Sequence, residues 1–117
     1  ALPVHWTAKQ DRVAKMMVVR TRPKNYYKAS LKGDKLLAKY YAKQRQGFAQ
    51  SLLTRTQRYN DAVQFLHTSP AQTLLEICPP DLKNMASRLS KNKAKIRYSY
   101  DVGLDAGHQA IEEWYKL

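Results

Sequence analysis

Apolar positions recur with a helical period along much of the chain, most clearly after residue 34. Leu37, Tyr41, Phe48, Leu52, Tyr59, Val63 and Leu66 fall in one stripe about 80° wide when successive residues are turned 100° apart. Their spacing follows an 11-residue repeat, which suits a nearly straight helix and not a left-handed coiled coil. The opposite side carries Lys35, Lys39, Lys43, Gln46, Gln50, Gln57, Asp61 and Gln64. With Asp34 as N-cap, this pattern predicts one helix of about 33 residues, roughly 50 Å long. Gly47 is the expected place for a kink. A core this small cannot cover the whole stripe, so part of it is expected to pack on another molecule.

The flanking segments read more weakly. Thr7 caps a helical pattern through Val13, Met16, Met17 and Arg20 that Pro23 stops, although Met16 to Val19 also fits a strand. Residues 23–33 lack periodicity and read as a basic, aromatic connector. Ser69, Pro70 and Gln72 form a capping box for a helix that Pro79 and Pro80 end. A short helix is expected from Asp81 to about Lys91, with Leu82, Met85 and Leu89 on one side. Residues 91–100 read as an extended basic and aromatic segment. A final helix, capped by Asp101 or Asp105, runs through Leu104, His108, Ile111 and Tyr115. The expected fold is mainly α: one long helix, several shorter helices and basic extended connectors in an irregular bundle or hairpin, with little or no sheet. It forms a single basic helical domain, 1–117, ending in an acidic C-terminal helix, 101–117.

Charge turns this outline toward a class of partner. Lys and Arg number 21 against 9 Asp and Glu, a formal net charge of +12. Four of the nine acids, Asp101, Asp105, Glu112 and Glu113, lie in the last segment, where Lys116 is the only base. Between Lys83 and Arg97 six basic residues, among them Arg88, run without an acid, and from Arg20 to Arg45 only Asp34 opposes the bases. So few carboxylates leave little room for i,i+4 pairing, and the expected partner is a polyanion.

Aromatic residues interleave with these cations at Lys24-Asn25-Tyr26-Tyr27-Lys28, at Lys39-Tyr40-Tyr41 and at Arg97-Tyr98-Ser99-Tyr100. Unpaired bases stack on aromatic rings while neighbouring Lys and Arg neutralise phosphates, so the combination points to RNA. The expected RNA contacts are Arg20, Arg22, Lys24, Tyr26, Tyr27, Lys28, Lys32, Lys35, Lys39, Lys43, Lys91, Lys93, Lys95, Arg97 and Tyr98. Ile111, Trp114 and Tyr115 are the expected protein-docking residues. Arg55, which interrupts the apolar stripe, either snorkels along the helix to water or points into a partner carrying phosphate or carboxylate, snorkelling being the expected outcome.

Other chemistries lack their motifs. One cysteine, Cys78, excludes an internal disulfide, and three scattered histidines give no metal-ligand spacing. There is no Gly-rich phosphate loop, G-x-S-x-G or H-E-x-x-H pattern, and no apolar run long enough to span a bilayer. The RRM, KH, zinc-finger and leucine-zipper signatures are absent as well. No catalytic residue, cofactor, metal or small-molecule substrate is expected.

The reading is a structural, non-catalytic component of a large ribonucleoprotein, foremost a mitochondrial ribosomal protein contacting rRNA and neighbouring subunits. The alternative is an accessory subunit of a mitochondrial respiratory or ATP synthase membrane complex, where bases meet anionic headgroups. Its distinguishing feature is a helix whose basic residues flank an apolar edge; here Lys35, Lys39 and Lys43 sit opposite the apolar stripe, which favours the ribonucleoprotein. Charge alone also admits a DNA-packaging protein. The mitochondrial location rests on the missing initiator Met and the basic, disulfide-free composition; the other expected setting is a cytoplasmic ribonucleoprotein.

Overall fold

The computed structural model describes residues 2–69 and 73–117. More than half of these are helical, with a short sheet besides, so the fold is mainly α with long and shorter helices. In chain order the elements are α1 (Val4–Ala8), β1 (Met16–Val19), α2 (Lys32–Tyr41), α3 (Gln46–Thr68), β2 (Leu74–Ile77) and α4 (Lys93–Lys116). They form two compact units. One holds residues 1–10 and 27–68, the other residues 11–26 and 69–117.

The first unit is built from α1, α2 and α3. The expected single helix over 34–66 is two helices, and the break falls at residues 42–45, just before Gly47. The reason lies in what the break allows. Folding the chain back sets Ala38 and Ala49 into the buried seam, where neither carries enough side chain to hold the backbones apart. It also brings Arg55 to Asp34, where Nε and Nη2 donate to the two carboxylate oxygens at 2.5 and 2.7 Å. Arg55 thus neither snorkels freely nor awaits a partner's anion, but meets a carboxylate of its own chain.

Only part of the stripe is covered. Val63 and Leu66 are buried with Ala62, whereas Tyr41, Leu52 and Tyr59 are half-buried and Leu37 and Phe48 are exposed. Tyr41 meets the edge of Phe48 at 5.2 Å across the turn. Short α1 closes the far end, with Val4 buried and the His5 ring 4.5 Å from Phe65.

The second unit corrects four expectations. Met16 to Val19 is a strand, not the end of a helix begun at Thr7, because β-branched Val18 and Val19 fit a pleated surface and a parallel partner is available. That partner is Leu74–Ile77, expected to be helical; Pro70 to Gln72 of the anticipated capping box lie outside the described residues. The helix expected over 81–91 is irregular chain, and residues 93–100 are helical instead of extended. Asn92 supplies the cap of α4, its side chain accepting from the Lys95 amide at 3.1 Å. The last helix therefore starts at Lys93, and Asp101 lies inside it, 3.3 Å from Arg97.

The two strands pair in parallel, Met16 opposite Leu74 through Val19 opposite Ile77. At their C-terminal ends Arg20 and Glu76 form a buried ion pair, with side chains 2 and 7 % exposed. The same guanidinium donates to the carbonyls of Pro23 and Lys24, at 3.3 and 3.2 Å, so the chain after β1 wraps around it. Ser99 ties the irregular segment to α4: its hydroxyl accepts from the Ala86 amide at 2.7 Å and donates to the Lys95 carbonyl at 2.8 Å.

Removing Glu76 alone would strand a buried cation. Glu76→Ala should lower stability by about 3–5 kcal/mol, whereas replacing both partners by apolar residues, Arg20→Met with Glu76→Leu, should cost far less. Urea denaturation of the single and double variants measures the difference; equal losses would contradict it.

Candidate anion-binding surfaces

Asp34, the only acid of α2, is bound by Arg55 and faces the seam. The remaining charges of the helix are lysines on its outer side. Lys32, Lys35 and Lys39, with Lys43 in the turn that follows, repeat at helical spacing and are all exposed. Leu36 and Tyr40 share this side, 72 and 74 % exposed. None of these four lysines forms an ion pair among the described residues. Beside them a shallow groove of about 660 Å³ runs between α2 and α3, edged by Lys35, Lys39, Gln46 and Gln50 and floored by Ala38 and Ala49.

The connector at 20–33 is fastened to its own chain. Arg20, expected to meet phosphate, is instead buried against Glu76, because a guanidinium at the end of a strand finds its carboxylate in the neighbouring strand. Arg22 lies over the Tyr26 ring at 5.0 Å, and Lys24 is exposed. In the first unit, Tyr27 packs edge-on to His67, its hydroxyl 3.3 Å from Nδ1. Lys28 is held at both backbone groups: its amide donates to the Asn60 side-chain oxygen at 2.8 Å and its carbonyl accepts from Asn60 Nδ2 at 3.0 Å. Its ammonium sits 4.4 Å above Tyr59.

The second basic stretch contributes a separate patch. Lys93, Lys95, Arg97 and Tyr98 lie exposed on the first turns of α4, Arg97 is 5.7 Å from the Tyr100 ring, and Lys91 precedes the Asn92 cap. In the segment before them Arg88 stands beside Leu89, which is 85 % exposed. Farther along α4 the inward side consists of Val102, Ala106, Ala110 and Trp114. Trp114 accepts a bond from Lys15 Nζ at 3.0 Å through its carbonyl and carries the same ammonium over its ring. Leu104, His108, Ile111 and Tyr115 face outward. Of the expected protein-docking residues, Ile111 and Tyr115 are therefore on the surface while Trp114 belongs to the unit's own packing.

Residues 45–117, more than half of the chain, match the family model described as "Domain of unknown function (DUF6363)". The chain belongs to the DUF6363 family. No curated protein and no solved structure matches it. The stretch that matches DUF6363 begins at the turn between α2 and α3 and contains α3, β2 and α4. The lysine face of α2 and the strand β1 precede the DUF6363 segment.

Among the described residues no group of three or more His, Cys, Asp and Glu side chains could hold a metal, and no helix is long and apolar enough to cross a membrane. Sequence reasoning grouped Tyr40 with Lys39 but missed Leu36, because it placed the buried side of α2 at Leu37 and Tyr41. A signal was present: Ala38, between the two lysines, is the residue small enough for a close helix contact.

Burial pushes the Cys78 thiol up, with Glu76 raising it further and the nearby Arg20 and Lys24 acting against this. A raised pKa means less thiolate at any given pH. Alkylation by iodoacetamide in the native protein should therefore reach half its limiting rate at a higher pH than in urea. Coincident profiles would contradict this.

Proposed function

We propose that the chain is a non-catalytic docking module that attaches an assembly to an anionic lipid surface. The observation that carries the reading is the outer face of α2, where exposed Leu36 and Tyr40 lie among Lys32, Lys35, Lys39 and Lys43. A helix lying in a membrane interface needs apolar and aromatic side chains to enter the acyl boundary and long cationic ones beside them to reach the headgroups. A purely phosphate-binding face gains nothing from Leu36. The lysine stems can lie along the apolar surface while their ammonium groups stay in water. Each lysine near an anionic leaflet contributes about 1 kcal/mol, and Leu36 adds an apolar term that salt does not screen.

The test is co-sedimentation with phosphatidylcholine vesicles, with and without phosphatidylglycerol. Binding is expected only to the anionic vesicles. Lys35→Gln with Lys39→Gln should weaken it about thirtyfold, from roughly 2 kcal/mol. Leu36→Asn should weaken it about tenfold or more at high salt as well as low. Equal binding to neutral vesicles, or indifference to Leu36→Asn, would overturn the proposal.

One observation supports RNA as a second reading: the unbroken cationic run Lys91, Lys93, Lys95 and Arg97 next to exposed Tyr98 and Tyr100. A structural role within a ribosome-like particle would use this patch. Each phosphate neutralised on single-stranded RNA contributes about 0.7 to the slope of log affinity against log salt. Lys93→Gln with Lys95→Gln should flatten the slope measured with single-stranded RNA, and Leu36→Asn should leave it unchanged. A salt-independent affinity would exclude this reading.

A further inference from the structure

The parallel strands of the second unit end in a hollow. Beyond the carboxyl ends of β1 and β2, a cavity of about 330 Å³ is walled chiefly by Val19, Ile77, Leu82, Met85, Val102 and Ala106. A second hollow of about 500 Å³ shares Thr21, Leu82, Met85 and Ala86 with it and carries Arg22 and Arg88. Both are of a size that holds small ligands. One compartment is apolar and its neighbour is cationic. Arg22 is steadied over Tyr26, and neither Arg22 nor Arg88 has an ion-pair partner among the described residues.

The space in the apolar compartment comes from α4, which presents Gly103 and Ala106 there. Gly103 lines the cavity and is exposed at its mouth, and a Cβ built on it would meet nothing within 4 Å, so a larger residue fits at this position without displacing backbone. At about 30 Å³ for a water-sized group such as a methylene, the cavity takes a chain of roughly ten carbons.

We propose that this pair of compartments binds a single-chain amphiphile with an anionic head, the alkyl chain lying along α4 in the apolar cavity and the head held by Arg22 and Arg88. Guanidinium groups suit both carboxylates and phosphate monoesters, so the head is one of these two. The site lies in a different unit from the α2 face, and takes a dispersed molecule instead of a bilayer surface. It does not depend on the membrane reading.

Isothermal titration of the full chain with submicellar decanoate, decyl phosphate and uncharged decyl glucoside tests the site. One of the two anions should bind, and the stronger identifies the head. Affinity for the shorter members of that series should rise about fourfold per methylene and level off near ten carbons. Gly103→Leu raises helix propensity and should keep the fold while filling the cavity, with at least tenfold loss of binding. Arg22→Gln and Arg88→Gln should each cost about tenfold for the anion. Bound ligand should also slow alkylation of Cys78, which lines the same cavity. Unchanged binding by a folded Gly103→Leu protein, equal binding of the glucoside, or no binding of either anion would overturn the proposal. Vesicle attachment should survive Gly103→Leu, so the two proposals fail separately.

Discussion

Taking the Arg20 guanidinium out of water constrains the whole second unit. A buried cation has to be met by a carboxylate and by enough oxygen acceptors to replace its hydration. Glu76 supplies the first from the adjacent strand, and the carbonyls of Pro23 and Lys24 supply the second from the chain that follows β1. The pair thus sets which ends of the strands lie together and bends the following segment round one point. Arg22 is carried on that bend, two residues past the buried one. Its position beside the apolar cavity follows from where Arg20 is held.

In the first unit the corresponding constraint is the close approach of α2 and α3. Alanines at 38 and 49 leave room for it, and the Asp34 to Arg55 fork closes the open end of the hairpin. Once Asp34 and Ala38 face the seam, helical geometry turns Lys32, Leu36, Lys39 and Tyr40 outward together. The exposed mixture of charge and hydrophobicity is a consequence of how the hairpin closes, and the lysines lack acidic neighbours because the one acid of the helix is used in closing it.

Much of this architecture could be read from the chain. The helical period after residue 34 revealed α2 and α3, and all eight residues assigned to the polar side, from Lys35 to Gln64, are exposed. The break was hidden because periodicity reports a face and not its continuity: residues 42–45 contain neither Pro nor Gly, and the gain from closing the hairpin is tertiary. β2 was hidden for another reason. Four residues, Leu74 to Ile77, are too few to separate a strand from a helical turn, and the capping box before them favoured the wrong state. The cationic segments were plain from composition, yet their use was not. Arg20 is no different in local sequence from Arg22, and only a carboxylate 56 residues away decides that one is buried and the other exposed.

That separation bears on how the molecule is assembled in time. Between β1 and β2 the chain leaves to form nearly all of the first unit, whose central hairpin of α2 and α3 joins neighbouring helices through a short turn and a fork 21 residues apart. Local contacts form early, whereas a parallel ladder has to wait for the long loop between its strands to be closed. The intervening hairpin shortens that loop before the strands meet, and the growing sheet inherits an entropic cost already met in part. Until then Arg20 remains hydrated and the chain beyond it has nothing to wrap around. The ligand-sized hollow at the strand ends, and the guanidinium groups near it, are accordingly among the last features to be completed.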